Sequence, residues 1–246
     1  MALAVRDIKL RYRQTLLGVV WVLIQPLLAA GIFAFIFGHV AHLDSAGEPY
    51  ILFSYMGLLV WNLFNGSILK ASGALVANSA LVSKVYFPRM LLPFSTIISS
   101  LLDFAIGLAV GLILLLCYGV GIGLSLWSAP FWLVLLLMFS AGAGLFCAAL
   151  AVAYRDVLHI LPVGLQLLLY GSPVGYSIAA IPAGWPRMLY RLNPLAPMIE
   201  GFRNAMLGHG FIGFHSAIYA IAASVFALAA GLLFFRRMER QFADVI

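Results

Sequence analysis

The chain has 246 residues, 64% of them apolar and 9% charged, with a formal net charge of +6. A soluble domain carries roughly a quarter charged residues, so this composition excludes one. The cations are scattered among apolar runs without a basic, aromatic-interleaved face, which excludes a nucleic-acid groove; the sequence reads as an all-α integral membrane protein whose charge reports topology.

Residues 1–14 put Val5, Ile8 and Tyr12 at helical spacing, with Arg6, Lys9 and Arg13 on another face and Arg11 completing four cations in eight residues. This predicts an amphipathic interface helix, apolar side in the acyl boundary and cations toward headgroups. It serves either as a topology anchor or as a docking surface for a cytoplasmic partner.

A helix rises 1.5 Å per residue and the hydrocarbon core is about 30 Å thick, so a span takes about 20 apolar residues. Six runs qualify: 16–40, 50–77, 93–118, 131–153, 157–180 and 215–235. The first is too long for a signal peptide and ends in "FGHVAH", so it is expected to remain as a span. Placing the N-terminus inside puts eleven cations (Arg6, Lys9, Arg11, Arg13, Lys70, Lys84, Arg89, Arg155, Arg236, Arg237, Arg240) on the inner side and three (Arg187, Arg191, Arg203) outside. Retention of cations in the cytoplasm therefore predicts N-in, C-in. Small residues recur at helical spacing at Gly107 and Gly111, at Ser140, Gly144 and Ala148, and at Ala223, Ala227 and Gly231, the pattern that lets helices pack closely in lipid.

Residues 79–92 read as a short cytoplasmic helix, started by Asn78 or Ser79 and limited by Pro88 and Pro93. Residues 181–214 are proline-rich, too apolar for a solvated loop and too broken for a span. Two short helices re-entering the outer leaflet around "NPLAP" fit best, with Arg187 and Arg191 on one helix face and Glu200 paired to Arg203 at i, i+3. Pro162 and Pro173 weaken the preceding span, which makes this the expected gate.

Chemistry-bearing groups are few. Neither Lys70 nor Lys84 follows a glycine in a G-x-x-x-x-G-K-[ST] loop, so ATP would have to be bound by another chain. Cys117 and Cys147 sit in apolar runs and read as core thiols; no metal-ligand spacing is present. Asp103 lies near the middle of the third run, where an ionisable group marks a functional hypothesis: it either hydrogen-bonds between helices or lines a polar path. Asn62 and Asn65 are expected as its partners, while Lys70 is expected to snorkel away to the inner interface.

Five stretches in order, "RDIKLRYRQTLLGVVWVLIQP" at 6–26, "VYFPRMLLPFS" at 85–95, "AYRDV" at 153–157, "GSPVGYS" at 171–177 and "LNPLAPMIEGFRNAML" at 192–207, resemble the permease subunit of polysaccharide and O-antigen ABC exporters, related to teichoic-acid and capsule export permeases. The resemblance implies a homodimeric channel in the bacterial inner membrane. Two copies of a soluble nucleotide-binding ATPase would hold ATP and Mg²⁺, and this chain would bind no cofactor. It maps an interface helix onto Arg6 through Arg13, a coupling helix onto Ser83, Lys84, Tyr86 and Arg89, and a cytoplasmic turn onto Tyr154, Arg155 and Asp156. Gate helices would run from Pro186 through Gly208, with Arg187, Arg191 and Arg203 as candidates for contact with a lipid-diphosphate-linked glycan or for gate closure. Tyr50, Phe53, Tyr55, Trp61 and Phe64 would offer rings for sugars to slide against. The alternatives keep the machinery but export teichoic acid, a lipo-oligosaccharide or a drug, or replace it with an ion-coupled carrier using Asp103 or a membrane transferase using His209 or His215.

Overall fold

The computed structural model describes residues 20–239 apart from 44, 46, 86, 122, 179, 180 and 183; Arg6, Lys9, Arg11, Arg13 and Tyr86 lie outside the described residues. The described chain is helical, with no strand. Helix α1 (Val20–Phe33) carries Pro26 inside it and runs into a π-helical stretch, Ala34–Val40. Helix α2 is Tyr50–Ala77, α3 Ser79–Lys84 and α4 Leu91–Cys117. A 3₁₀ turn, Leu124–Ser128, leads into α5 (Ala129–Ala153), followed by α6 (Val157–Tyr170). The chain closes with α7 (Trp185–Leu192), α8 (Leu195–Leu207) and α9 (Phe214–Glu239).

Four of these stretches are long and apolar enough to cross a membrane: Tyr50–Ala77, Leu91–Cys117, Leu124–Ala153 and Phe214–Glu239. Two apolar helices are shorter, Ile24–Val40 and Val157–Tyr170. The fifth predicted run therefore departs from expectation, because its helix stops at Tyr170 and residues 171–178 are irregular. The physical reason lies in "GSPVG": glycine weakens helix, and Pro173 both lacks an N–H and pushes its predecessor out of the helical region. The predicted helix over 79–92 is also shorter, ending at Lys84, since Pro88 disfavours helix in the residue before it. Pro93, by contrast, falls in the first turn of α4, where its missing N–H costs nothing.

Helix α2 is the axis of the molecule, mostly buried and packed against α1, α4, α5, α6 and α8. Its small-residue neighbours explain the closeness: Gly107 of α4 leaves room for Leu59, Gly111 for Met56, and Gly144 of α5 for Ala71. The largest core gathers around α2, α5 and α8. A second cluster closes the end carrying Lys84 and Arg155, here the near end, where Val82 of α3 packs with Leu75, Leu92, Val152 and Phe235. Four separate helices contribute to that one valine's cluster, so the short helix is anchored to the bundle through Val82, its one buried residue. The opposite, far end carries α7 and α8.

Candidate functional site

At the far end, the irregular stretch Gly171–Ile178 makes local backbone bonds from the N–H groups of Gly171, Ser172 and Val174, and side chains from other elements take up much of the rest. Backbone groups in a low-dielectric interior must find partners, and here the carbonyls of Gly171, Pro173, Val174 and Gly175 find them in side chains. Arg203 Nη1 donates to the Pro173 and Val174 carbonyls at 3.1 and 3.2 Å. Tyr50 Oη donates to the Gly175 carbonyl at 2.6 Å, and Asn193 Nδ2 to the Gly171 carbonyl at 3.0 Å. The Ile178 N–H donates to Glu200 Oε1 at 2.8 Å, and Tyr176 Oη to the Tyr170 carbonyl at 2.7 Å. Gly57 allows the stretch to lie flat on α2, because a Cβ there would sit 2.2 Å from the Val174 carbonyl oxygen.

Arg203 is the hub of this clamp. It is 1% exposed, its Cζ stands 3.8 Å from the centre of the Phe53 ring, and its Nη2 lies 3.7 Å from Glu200 Oε1. A planar fork with five donors can stack, pair and hold two carbonyls at once, which a lysine cannot. Burial pulls its pKa down to about 10, opposed by Glu200 and Tyr50, so it remains a cation near neutrality. The expected Glu200–Arg203 pair is present, but in this conformation Arg203 has no open face for a phosphate.

The other two predicted gate cations stand differently. Arg187 and Arg191, on α7, line a cleft of about 580 Å³ with Glu200, His215 and Tyr219. Arg187 Nε donates to the Ile181 carbonyl at 2.9 Å, and Tyr219 Oη donates to the Leu192 carbonyl, tying α9 to α7. Two arginines against one carboxylate make this cleft suited to an anion. Helix α7 presents the opposite character on its other side, where Trp185, Met188, Leu189 and Leu192 are exposed.

The aromatic candidates are placed otherwise than expected. Phe53, Tyr55, Trp61 and Phe64 are 0–3% exposed; Phe53 packs on Tyr50, Trp61 on Phe64 and Phe64 on Phe139, while Tyr55 Oη donates to the Gly107 carbonyl, so in this conformation they offer no ring to a sliding sugar. The reason is the central position of α2, whose large side chains fill the core. Tyr50 is half-buried and committed to Gly175.

Lys70 corrects another expectation. Its Nζ lies 2.9 Å from Asp103 Oδ2 instead of turning to the interface. A four-carbon stem reaches along the helix in either direction, and a carboxylate at mid-bundle is a better partner than a climb to the surface. Asn62 and Asn65 share a cleft of about 460 Å³ with the pair, together with Gln25 and Ser100.

At the near end, Ser83 and Lys84 of α3 and Tyr154, Arg155 and Asp156 between α5 and α6 are exposed. Arg89 is only half exposed, and its Nη1 donates to the Glu239 carbonyl at 2.9 Å. It therefore ties the segment after α3 to the last turn of α9, a link between residues 150 apart that no sequence pattern announced.

The chain matches the ABC-2 type transporter family over residues 1–207. It is similar to an O-antigen export system permease protein RfbA of Klebsiella pneumoniae, 29% identical over 98% of this chain and 92% of the relative. It is also similar to RfbA of Myxococcus xanthus, at 27% over 100% and 94% of the two chains. A polysialic acid transport protein KpsM of Escherichia coli is 27% identical, covering 97% and 92%.

Proposed function

This chain belongs to the ABC-2 type transporter family, and from that premise we propose that it is the permease of an exporter that moves an O-antigen-like polysaccharide across the bacterial inner membrane. The observation that carries the cargo is the similarity to O-antigen export permeases, which covers 98% and 100% of this chain and 92% and 94% of the two relatives. In this reading the two shorter apolar helices complete six spans, the near end faces the cytoplasm, and two copies of the chain enclose the path.

A separate ATPase, in two copies, would hold ATP and Mg²⁺ and dock on the exposed near-end group of Ser83, Lys84 and Tyr154 through Asp156, with Arg6, Lys9, Arg11 and Arg13 beside it. Val82 would carry the push into the bundle because it is the buried residue of α3 in a cluster drawn from four other helices, and Arg89 would pass it to α9. A motor shifts such an equilibrium only if it binds the two states with different affinity. The far-end cleft of Arg187 and Arg191 supports contact with the diphosphate of a lipid-linked cargo, and the Arg203 clamp supports gate closure. The polysialic acid transporter among the relatives favours one second reading, the same machinery with an acidic polymer as cargo.

Arg89→Glu is expected to keep the spans inserted but to lose ATP-driven export, because a carboxylate would face the carbonyl-rich end of α9 where a cation now sits. Normal export by this variant would remove Arg89 from the path of force.

The deciding experiment is affinity purification of the tagged chain from its native membrane in mild detergent. A soluble ATPase recovered in about equal amount, with vanadate-sensitive turnover, is the expected result. A chain that purifies alone from several mild detergents would overturn the reading.

A further inference from the structure

One cavity takes no part in docking the ATPase or clamping the far end. The cleft between α1, α2 and α4 measures about 460 Å³, within the range of small-molecule sites, and is lined by Gln25, Asn62, Asn65, Lys70, Ser100 and Asp103. Asn62 sits near the middle of α2 and is exposed, as is Gln25 in α1. Polar side chains on an open face of a span are costly against hydrocarbon, so this face meets water, protein or a polar cargo.

The chemistry of the lining narrows the choice. Three carboxamides and a hydroxyl offer donors and acceptors together, whereas Lys70 and Asp103 are paired at 2.9 Å and cancel each other's charge. An anion would find no net attraction among the described residues; a neutral polyol would find both kinds of partner. Leu59, Leu63 and Phe104 supply an apolar floor. Alternating hydroxyls and a C–H face are what a pyranose ring presents to such a surface.

We propose that this cleft is a subsite for an uncharged sugar residue of the passing glycan, held on the wall of the path in the membrane's middle. The inference rests on the export function proposed above. It divides the labour chemically, with the neutral polymer at Asn62 and Asn65 and the charged lipid diphosphate at Arg187 and Arg191.

The test uses the full transporter in cells that make their glycan from radiolabelled sugar. The photoreactive p-benzoylphenylalanine replaces Asn62 in one strain and Leu116, an exposed position at the far end of α4 outside the cleft, in another. Irradiation should attach labelled glycan at position 62 and not at 116, and the product should vanish when glycan synthesis is blocked. Asn62→Ala, at an exposed site that tolerates it, should slow export about two- to tenfold, the loss of one hydrogen bond, with ATPase binding intact. Attachment only to phospholipid or to a second copy of the chain, or an Asn62→Ala variant exporting at the parental rate, would overturn the subsite while export continues. A strain lacking the chain that still displays its glycan outside would instead overturn the export function itself, and the subsite with it.

Discussion

Arg203→Met is expected to destabilise the far end by about 3 kcal/mol, the lower end of what breaking a buried charge pair costs. Methionine fills the volume over Phe53 but donates nothing, so the Pro173 and Val174 carbonyls, now held at 3.1 and 3.2 Å, lose their partner. Among the described residues Glu200 would keep its bonds from Ile178 and Ser177, at 2.8 and 3.4 Å. The lower end applies because Glu200 is still 17% exposed and water can relieve it. Thermal unfolding of the purified chain should come earlier, and a new protease-sensitive site should open within residues 171–178. Arg203→Lys should recover only part of the loss, because one ammonium cannot stack on a ring and bridge two carbonyls at the same time. A methionine variant as stable and as protease-resistant as the parent would show that the clamp does not depend on this guanidinium. The consequence for transport follows from the same geometry. In the export function proposed above, the clamp holds the gate shut, so weakening the fork should raise leak of a small solute through the resting channel.

Composition and apolar run length made much of this legible. The long helices at Tyr50, Leu91 and Phe214 begin within a few residues of their expected starts, and the paired short helices around "NPLAP" are there because proline and asparagine write their boundaries locally. The i, i+3 pair of Glu200 and Arg203 was legible for the same reason, being a property of one helix. What stayed hidden depends on how helices distant in sequence come to lie. Lys70 and Asp103 are 33 positions apart, and only the crossing of α2 and α4 makes them neighbours. Depth counted from the ends of two different runs misplaced that lysine. The aromatics of α2 could be seen as candidates, but whether they face a path or a core is decided by which helix stands at the centre. "GSPVGYS" carried a visible signal in Pro173 and its two glycines, and taking the apolar run at face value carried helix across it.

Gly231→Val is expected to separate α9 from α5. The two backbones touch at this crossing: a Cβ on Gly231 would lie 2.1 Å from the Gly142 carbonyl oxygen, and one on Gly142 would lie 2.2 Å from that of Ala227. Neither neighbour is a side chain that can swing aside, so the helices must part by on the order of 1 Å to restore ordinary contact. The Ser224 to Leu135 hydrogen bond, at 2.9 Å, and the burial of Phe235 in the near-end cluster both depend on the present spacing. Overpacking of this kind costs roughly 3 kcal/mol at its upper range, and abundance in the membrane and thermal stability should fall together. Gly73→Ala is the matched control, because nothing stands within 4 Å of its Cβ and alanine favours the helix. Equal behaviour of the two variants would mean that the crossing is looser than the backbone contact implies. The sequence stripe Ala223, Ala227 and Gly231 pointed to a close approach, but its counterpart on α5 is Gly142, one face away from the Ser140, Gly144 and Ala148 stripe that packs toward α2. Helix α5 thus uses two small-residue faces, one for the central helix and one for α9. Since Arg89 grips the last turn of α9, a helix pushed off α5 should also lose its hold on the segment after α3, and under the export function proposed above ATP turnover by the partner should then continue without export.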